Sequence, residues 1–255
     1  MTKASKAWVG FVAPFSLAIA LVATWWGFTA YSGVPKFLLP EPRDVILRFF
    51  AEVFDAHYWG YLGQTLAEAM GGCVVGALVA LPLAALIHRS KWVCAAVNPF
   101  LGATQAIPAI ALAPLLVLWV GYDMRGVVIL CALMVFFPIL VSTVLGLRHV
   151  SRDVVEAAHI DGASSLRLLV EIEAPLALPS ALAGLRNGFT LSITGAVVGE
   201  MVMGGHGLGT LLTVQRDAVD TSGMFATIAL LCVVAATIYS LIHLVERRSR
   251  LVQTS

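Results

Sequence analysis

EAAHIDGASSLRLLVEIEAP, residues Glu156 to Pro175, decides how the rest of this 255-residue chain is read. It is the longest polar interruption in a sequence built of apolar runs. Between two such runs it places acids, a histidine, an arginine, small alanines and one glycine. A segment of this kind lies outside lipid, where its charges are hydrated. Locally, residues 152–161 suit a short helix, with Ser151 as N-cap and Asp153 and Glu156 near the positive helix end. Gly162 permits a sharp change of direction. Ala157, Ala158 and Ala163 are small enough for another protein surface to approach the backbone, and Leu166, Leu169 and Val170 add a second apolar stripe. The stretch therefore reads either as a helix-turn-helix knuckle suited to docking or as a loop joining two spans.

Working outward, composition shows what the flanks are. Apolar residues make up 59% of the chain and charged residues 12%, against about 45–50% and 25% in soluble domains. This is the composition of an integral membrane protein. A net charge of +1, with no basic run interleaved with aromatics, gives no sign of a nucleic-acid partner. The cysteines, Cys73, Cys94, Cys131 and Cys232, fall in or at the ends of apolar runs without metal-ligand spacing. The histidines are scattered, so no metal site is expected.

Six apolar runs are predicted to span, at residues 7–30, 62–87, 93–120, 126–147, 176–203 and 224–245. The first is too long for a signal-peptide core, and Trp25 and Trp26 near its end suit interfacial anchors. Pro99, Pro108 and Pro114 break or bend the third. Residues 31–61 read as an extracytoplasmic amphipathic segment, with Val45, Ile46, Phe49, Phe50 and Val53 at helical spacing. Residues 148–175 form the polar loop that holds the opening stretch, and 204–223 a glycine-rich loop on the opposite side. With six spans both termini share one side, which carries ten Lys and Arg residues against five on the other. The bias predicts cytoplasmic termini and a cytoplasmic 148–175 loop.

Within the fifth run Arg186 and Glu200 are expensive in lipid. Fourteen positions apart, they differ by about 40° around a helix. Gly184, Gly188, Gly195 and Gly199 cluster on the opposite face as small-xxx-small pairs suited to close packing. Either Arg186 and Glu200 border a translocation path, or each reaches its own membrane edge. Glu68, early in the second run, reads as interfacial. Gln105 beside Pro108 is a candidate solute contact or a helix-packing group. No phosphate-binding loop with its lysine is present, MGGHGLG at 203–209 reads as a flexible turn, and no catalytic site is expected.

The spacing of Glu156-Ala-Ala, Gly162, Ile172 and Pro175 resembles the coupling motif of ABC importer permeases, members of the binding-protein-dependent transport inner-membrane family. Ala174 departs from that family's usual Leu. LLPEP (38–42), QAIPAIALAPLLVLWVGY (105–122), FFPILVSTVLGL (136–147), GLR (184–186) and VVGEMVMGGHGLG (197–209) are similar to its branch for nitrate, sulfonates, taurine, bicarbonate and thiamine-precursor pyrimidines. The resemblance implies an all-α type I permease of about six transmembrane helices, multi-pass in a bacterial inner membrane. It further implies two ATP-binding cassette ATPase subunits, a second copy of the chain and an extracytoplasmic solute-binding protein as partners. ATP would be bound by the ATPase and no cofactor by this chain. Glu156, Ala157, Ala158, Asp161, Gly162, Ala163 and Pro175 would form the ATPase-coupling surface. The cargo would be a small polar solute: a thiamine pyrimidine precursor, a riboflavin-like compound, or a sulfonate, taurine or nitrate-type anion. The competing class is a self-sufficient secondary transporter that uses Arg186 and Glu200. It predicts internal repeats, and none stands out.

Overall fold

The computed structural model describes residues 3–105 and 108–253, and every regular element among them is helical. Long apolar runs force this outcome, because in lipid a helix satisfies its own backbone polar groups. The helices are α1 (Lys3–Tyr31), α2 (Pro42–Val53), α3 (Ala56–Arg89), α4 (Lys91–Gln105), α5 (Ala109–Val120), α6 (Met124–Arg148), α7 (Arg152–Ile160), α8 (Ser165–Leu168), α9 (Ala174–Met203), α10 (Leu208–Asp217) and α11 (Thr221–Gln253). A π-helical turn, Leu169–Glu173, joins α8 to α9.

Among the described residues four stretches are long and apolar enough to cross a membrane: Ala56–Arg89, Met124–Arg148, Ser165–Met203 and Thr221–Glu246. Shorter apolar pieces, Phe15–Tyr31 and Ile110–Val120, account for the first and third predicted runs. Of the three prolines in the third run only Pro108 separates helices; Pro99 and Pro114 lie inside α4 and α5.

Contacts divide the chain into two compact units. One comprises Met1–Tyr58 and Leu212–Leu231. Its α2 turns Val45 inward and half-covers Phe49 and Val53, while Ile46 and Phe50 stay about half exposed, an uncovered side suited to a membrane surface. Arg48 lies 3.0 Å from Glu52 and 3.1 Å from Asp220. Gln215 Nε2 donates to Glu52 Oε1 at 3.3 Å, Thr227 donates to Gln215 Oε1 at 3.0 Å, and the Tyr58 and Thr227 hydroxyls share a hydrogen bond. Burial pushes the Glu52 carboxyl above the usual carboxylate range, against the pull of Tyr58 and Arg48.

The other unit, Trp59–Leu211 and Cys232–Ser255, has α6 packed along α9 at its centre. Leu130, Val135, Ile139 and Leu140 are essentially fully buried there. The glycines of α9 meet this helix: a β-carbon at Gly188 would sit 2.8 Å from Val135 Cγ1, one at Gly195 2.8 Å from Met134 Sδ, and one at Gly199 2.9 Å from Val127 Cγ1. Close backbone approach is what the small-xxx-small pattern provides. Ser192 Oγ donates to the Ala69 carbonyl at 2.7 Å, and Cys131 Sγ to the Ser192 carbonyl at 3.3 Å, so α3, α6 and α9 are stitched together. Gly188→Leu is expected to lower stability in mild detergent by about 1–3 kcal/mol through overpacking; a melting temperature unchanged from the native chain would refute this account of the face.

Candidate functional site: a docking knuckle and its tether

In the 148–175 loop, α7 follows Ser151, whose side chain makes no capping hydrogen bond, so the expected N-cap supplies position but not its usual bond. Gly162 reverses the chain with φ +79°, a value open to glycine. The Ala163 N–H donates to the Ala158 carbonyl at 3.0 Å and closes the turn. Ser164 Oγ accepts from the Arg167 N–H at 3.4 Å and caps α8. Ala158 is buried beneath the knuckle and Ala163 half-buried, while Glu156, Ala157, Asp161 and Gly162 are exposed. Ile160 and Leu166 are 86% and 72% exposed, and Val154 and Val170 are also uncovered. Pro175 stands at the start of α9.

Behind the knuckle stands a tether that sequence reasoning missed. Glu173, 4% exposed, ends the π-turn. His88 Nε2 lies 3.0 Å from its Oε1, and Arg89 Nη2 donates to its Oε2 at 2.9 Å. Arg89 also donates to the Ser165 carbonyl. The last turn of α3 therefore grips both ends of the α8 and π-turn segment. No local sequence signal marks the pairing, since Arg89 lies 84 residues before Glu173.

At the far end of α9, Glu200 is 1% exposed. Its Oε1 accepts from Thr65 Oγ at 2.7 Å and its Oε2 from the Gly209 N–H at 2.5 Å, while the Leu208 N–H donates to Thr65 Oγ at 2.8 Å. The glycine loop is thus a cradle for a carboxylate: β-carbons at Gly207 or Gly209 would collide with Glu200 or with the Val197 carbonyl. Glu68, read as interfacial, is also 1% exposed. Gln64 Nε2 donates to its Oε1 at 2.8 Å, while its Oε2 is buried without a hydrogen-bond partner among the described residues. Glu68 and Gln64 line a cavity of about 390 Å³ with Tyr122, Asp123, Met203 and His206.

Arg186 has a different setting. Its Nη1 lies 2.5 Å from Glu246 Oε2 and 2.7 Å from His243 Nδ1, and its guanidinium carbon is 4.8 Å from the Tyr239 ring centroid. Arg186, near the middle of α9, and Glu200, near its carboxyl end, thus have separate sets of partners. Gln105 ends α4, and its side chain lies outside the described residues. Among the described residues no group of three His, Cys, Asp or Glu side chains could hold a metal, and the four cysteines are free thiols.

Comparison with known proteins places this geometry. Residues 72–251 match the family model described as "Binding-protein-dependent transport system inner membrane component". A riboflavin transport system permease protein, RibX, of Chloroflexus aurantiacus is 40% identical over 240 residues, covering 94% of this chain and 89% of that protein. A formylaminopyrimidine transport permease protein, ThiX, of Halalkalibacterium halodurans is 34% identical over 206 residues, covering 81% and 82%. Among solved structures, an inward-facing MetNI methionine ABC transporter shares the fold with TM-score 0.68 at 16% identity, over 74% of this chain and 94% of that one.

Proposed function

The chain belongs to the family of binding-protein-dependent transport system inner membrane components, and from that premise we propose that it couples import of a small polar organic solute to ATP hydrolysis on a separate ATPase pair. As a member it is a multi-pass transport permease of an ABC importer rather than an enzyme. The observation that carries the coupling role is the knuckle. Ile160 and Leu166 stand out from a charged loop whose backbone turns at Gly162 and whose base is tethered by Glu173. Uncovered apolar side chains on a polar loop fit a protein partner.

In this reading the knuckle, which includes Glu156, Ala157, Ala158, Asp161, Gly162 and Ala163, seats in an ATPase cleft on the cytoplasmic side, with Pro175 opening the helix behind it. Closure of the ATPase pair moves the knuckle, and the permease, paired with a second copy, switches between outward and inward access. Such coupling requires two states that ATP favours unequally. Arg186 and Glu200 border the path through their partners, Glu200 by way of Glu68 and the cavity it lines; Gln105 is a third path position. The chain itself holds no cofactor, and a solute-binding protein delivers cargo from outside. Kinship with riboflavin and formylaminopyrimidine permeases favours a heteroaromatic solute over a sulfonate, taurine or nitrate-type anion.

Co-purification with candidate ATPase subunits from the same host tests the coupling. The native chain is expected to retain one ATPase, and Gly162→Asp and Glu156→Lys to lose it while still inserting normally. Native chain that retains no ATPase from a full set would overturn the reading and return Arg186 and Glu200 to the secondary-transporter alternative.

A further inference from the structure

A second cavity, of about 330 Å³, opens where α3 meets α4 and the end of α6. His88, Lys91, Cys94, Asn98 and Arg148 line it, and no carboxylate does. Glu173 reaches His88 from outside the lining and is shared with Arg89. Lys91 and Arg148 form no ion pair among the described residues, whereas Arg89, Arg167 and Arg186 each have an acid.

The donors in the cavity converge on an unsuitable acceptor. Arg148 Nη2 lies 3.0 Å from Cys94 Sγ, and Asn98 Nδ2 lies 3.4 Å from the same sulfur. A thiol accepts hydrogen bonds weakly, whereas a guanidinium carries five donors in a fork matched to oxyanions. The amino end of α4 begins at Lys91 and adds its partial positive charge, with Val93 N–H directed at Ser90 Oγ. Trp92, beside Lys91, is 88% exposed. An uncovered tryptophan next to a lysine at the end of a spanning helix marks headgroup depth.

We propose that this cavity binds a phosphate-type oxyanion presented by the headgroup of an anionic phospholipid. Arg148 takes two phosphate oxygens, Lys91 supplies a point charge, the Asn98 amide donates a further bond, and Trp92 lies against the adjoining acyl and glycerol region. Basic pockets between spanning helices recognise lipid headgroups by this chemistry. A soluble oxyanion shares it and differs only in lacking the acyl anchor.

Native mass spectrometry of the intact chain, titrated with phosphatidylglycerol or phosphatidylcholine in mixed micelles, tests the site. Lys91→Gln and Arg148→Gln are each expected to weaken phosphatidylglycerol binding by about five-fold. Asn98→Asp, which leaves both cations in place but adds an opposing charge, is expected to weaken it as well. Arg43→Gln, an exposed charge on α2, is expected to change nothing. Equal binding of the two lipids, or equal losses in all four variants, would overturn the site. Full displacement of phosphatidylglycerol by millimolar inorganic phosphate would overturn the lipid source and assign the site to a free oxyanion. No ATPase enters the measurement, so its outcome is separable from that of the coupling test.

Discussion

Glu173→Ala is expected to be the most damaging single change away from the packed helix faces. Breaking a buried ion pair by removing one partner costs about 3–5 kcal/mol, because the remaining charges lose the group that offset their desolvation. Here Arg89 loses its acid at 2.9 Å, keeping only the Ser165 carbonyl, and His88 loses a hydrogen-bond partner at 3.0 Å. Chemical or thermal unfolding in mild detergent gives the loss directly. A double-mutant cycle with Arg89→Ala should return a coupling energy of about 1–3 kcal/mol. A Glu173→Ala protein within about 0.5 kcal/mol of native would mean that the tether is ornamental. If the tether holds the knuckle to α3, the same variant should also lose ATP-dependent transport beyond what its stability explains.

The second large effect is predicted in the glycine run after α9, where four glycines serve two separate needs. Gly204 has φ +75° with open space around its missing side chain, so Gly204→Ala meets only backbone strain, on the order of 1 kcal/mol. Gly209 is filled by contact instead: a β-carbon there would strike the Val197 carbonyl oxygen and crowd Glu200. Gly209→Val should therefore cost about 3 kcal/mol or more, combining overpacking with loss of a hydrogen bond to a carboxylate. Gly207 separates the causes, because every atom its β-carbon would strike belongs to the Glu200 carboxyl group. In a Glu200→Ala background Gly207→Ala should become nearly neutral, and Gly209→Val should remain costly. Equal behaviour of the two glycines in that background would count against the cradle.

Much of the fold was legible because the deciding signals are local. Run length and charge predicted the spans, and the turn at Gly162 followed from one residue type between two helical patterns. The 100° step placed the four α9 glycines on one face, and the close approach of α6 is what that face permits. What escaped was long-range. Glu173 looked like one more acid in a polar loop, since nothing near it in sequence identifies Arg89 as its partner. Glu68 was read as interfacial from its place near the start of a run, and its burial depends on neighbours outside that run. MGGHGLG reads as a flexible turn, and residues 204–207 do join α9 to α10 without regular structure, while Leu208 and Gly209 begin α10. The role of this run as a carboxylate cradle depends on Glu200 folding back onto it and on Thr65, 135 residues earlier. The third run showed three prolines with equal claim to a break. Pro108 took it, while α4 and α5 absorbed the other two, a choice that propensity alone does not make.

Ser165 to Met203 form one apolar helical stretch of 39 residues, roughly 60 Å at 1.5 Å per residue. A bilayer's hydrocarbon layer is about half that depth. In the coupling proposed above, the stretch acts as a connecting rod, with the knuckle at one end and the Glu200 cradle at the other. In the proposed coupling, thrust at the knuckle travels toward the cradle along this stretch, which is interrupted by the wide turn at Leu169–Glu173 and carries Pro179 inside α9. Twist is another matter: the wide turn at Leu169–Glu173 departs from regular α-helical winding, and it is the section that α3 clamps. The clamp sits where the rod would otherwise lose torque.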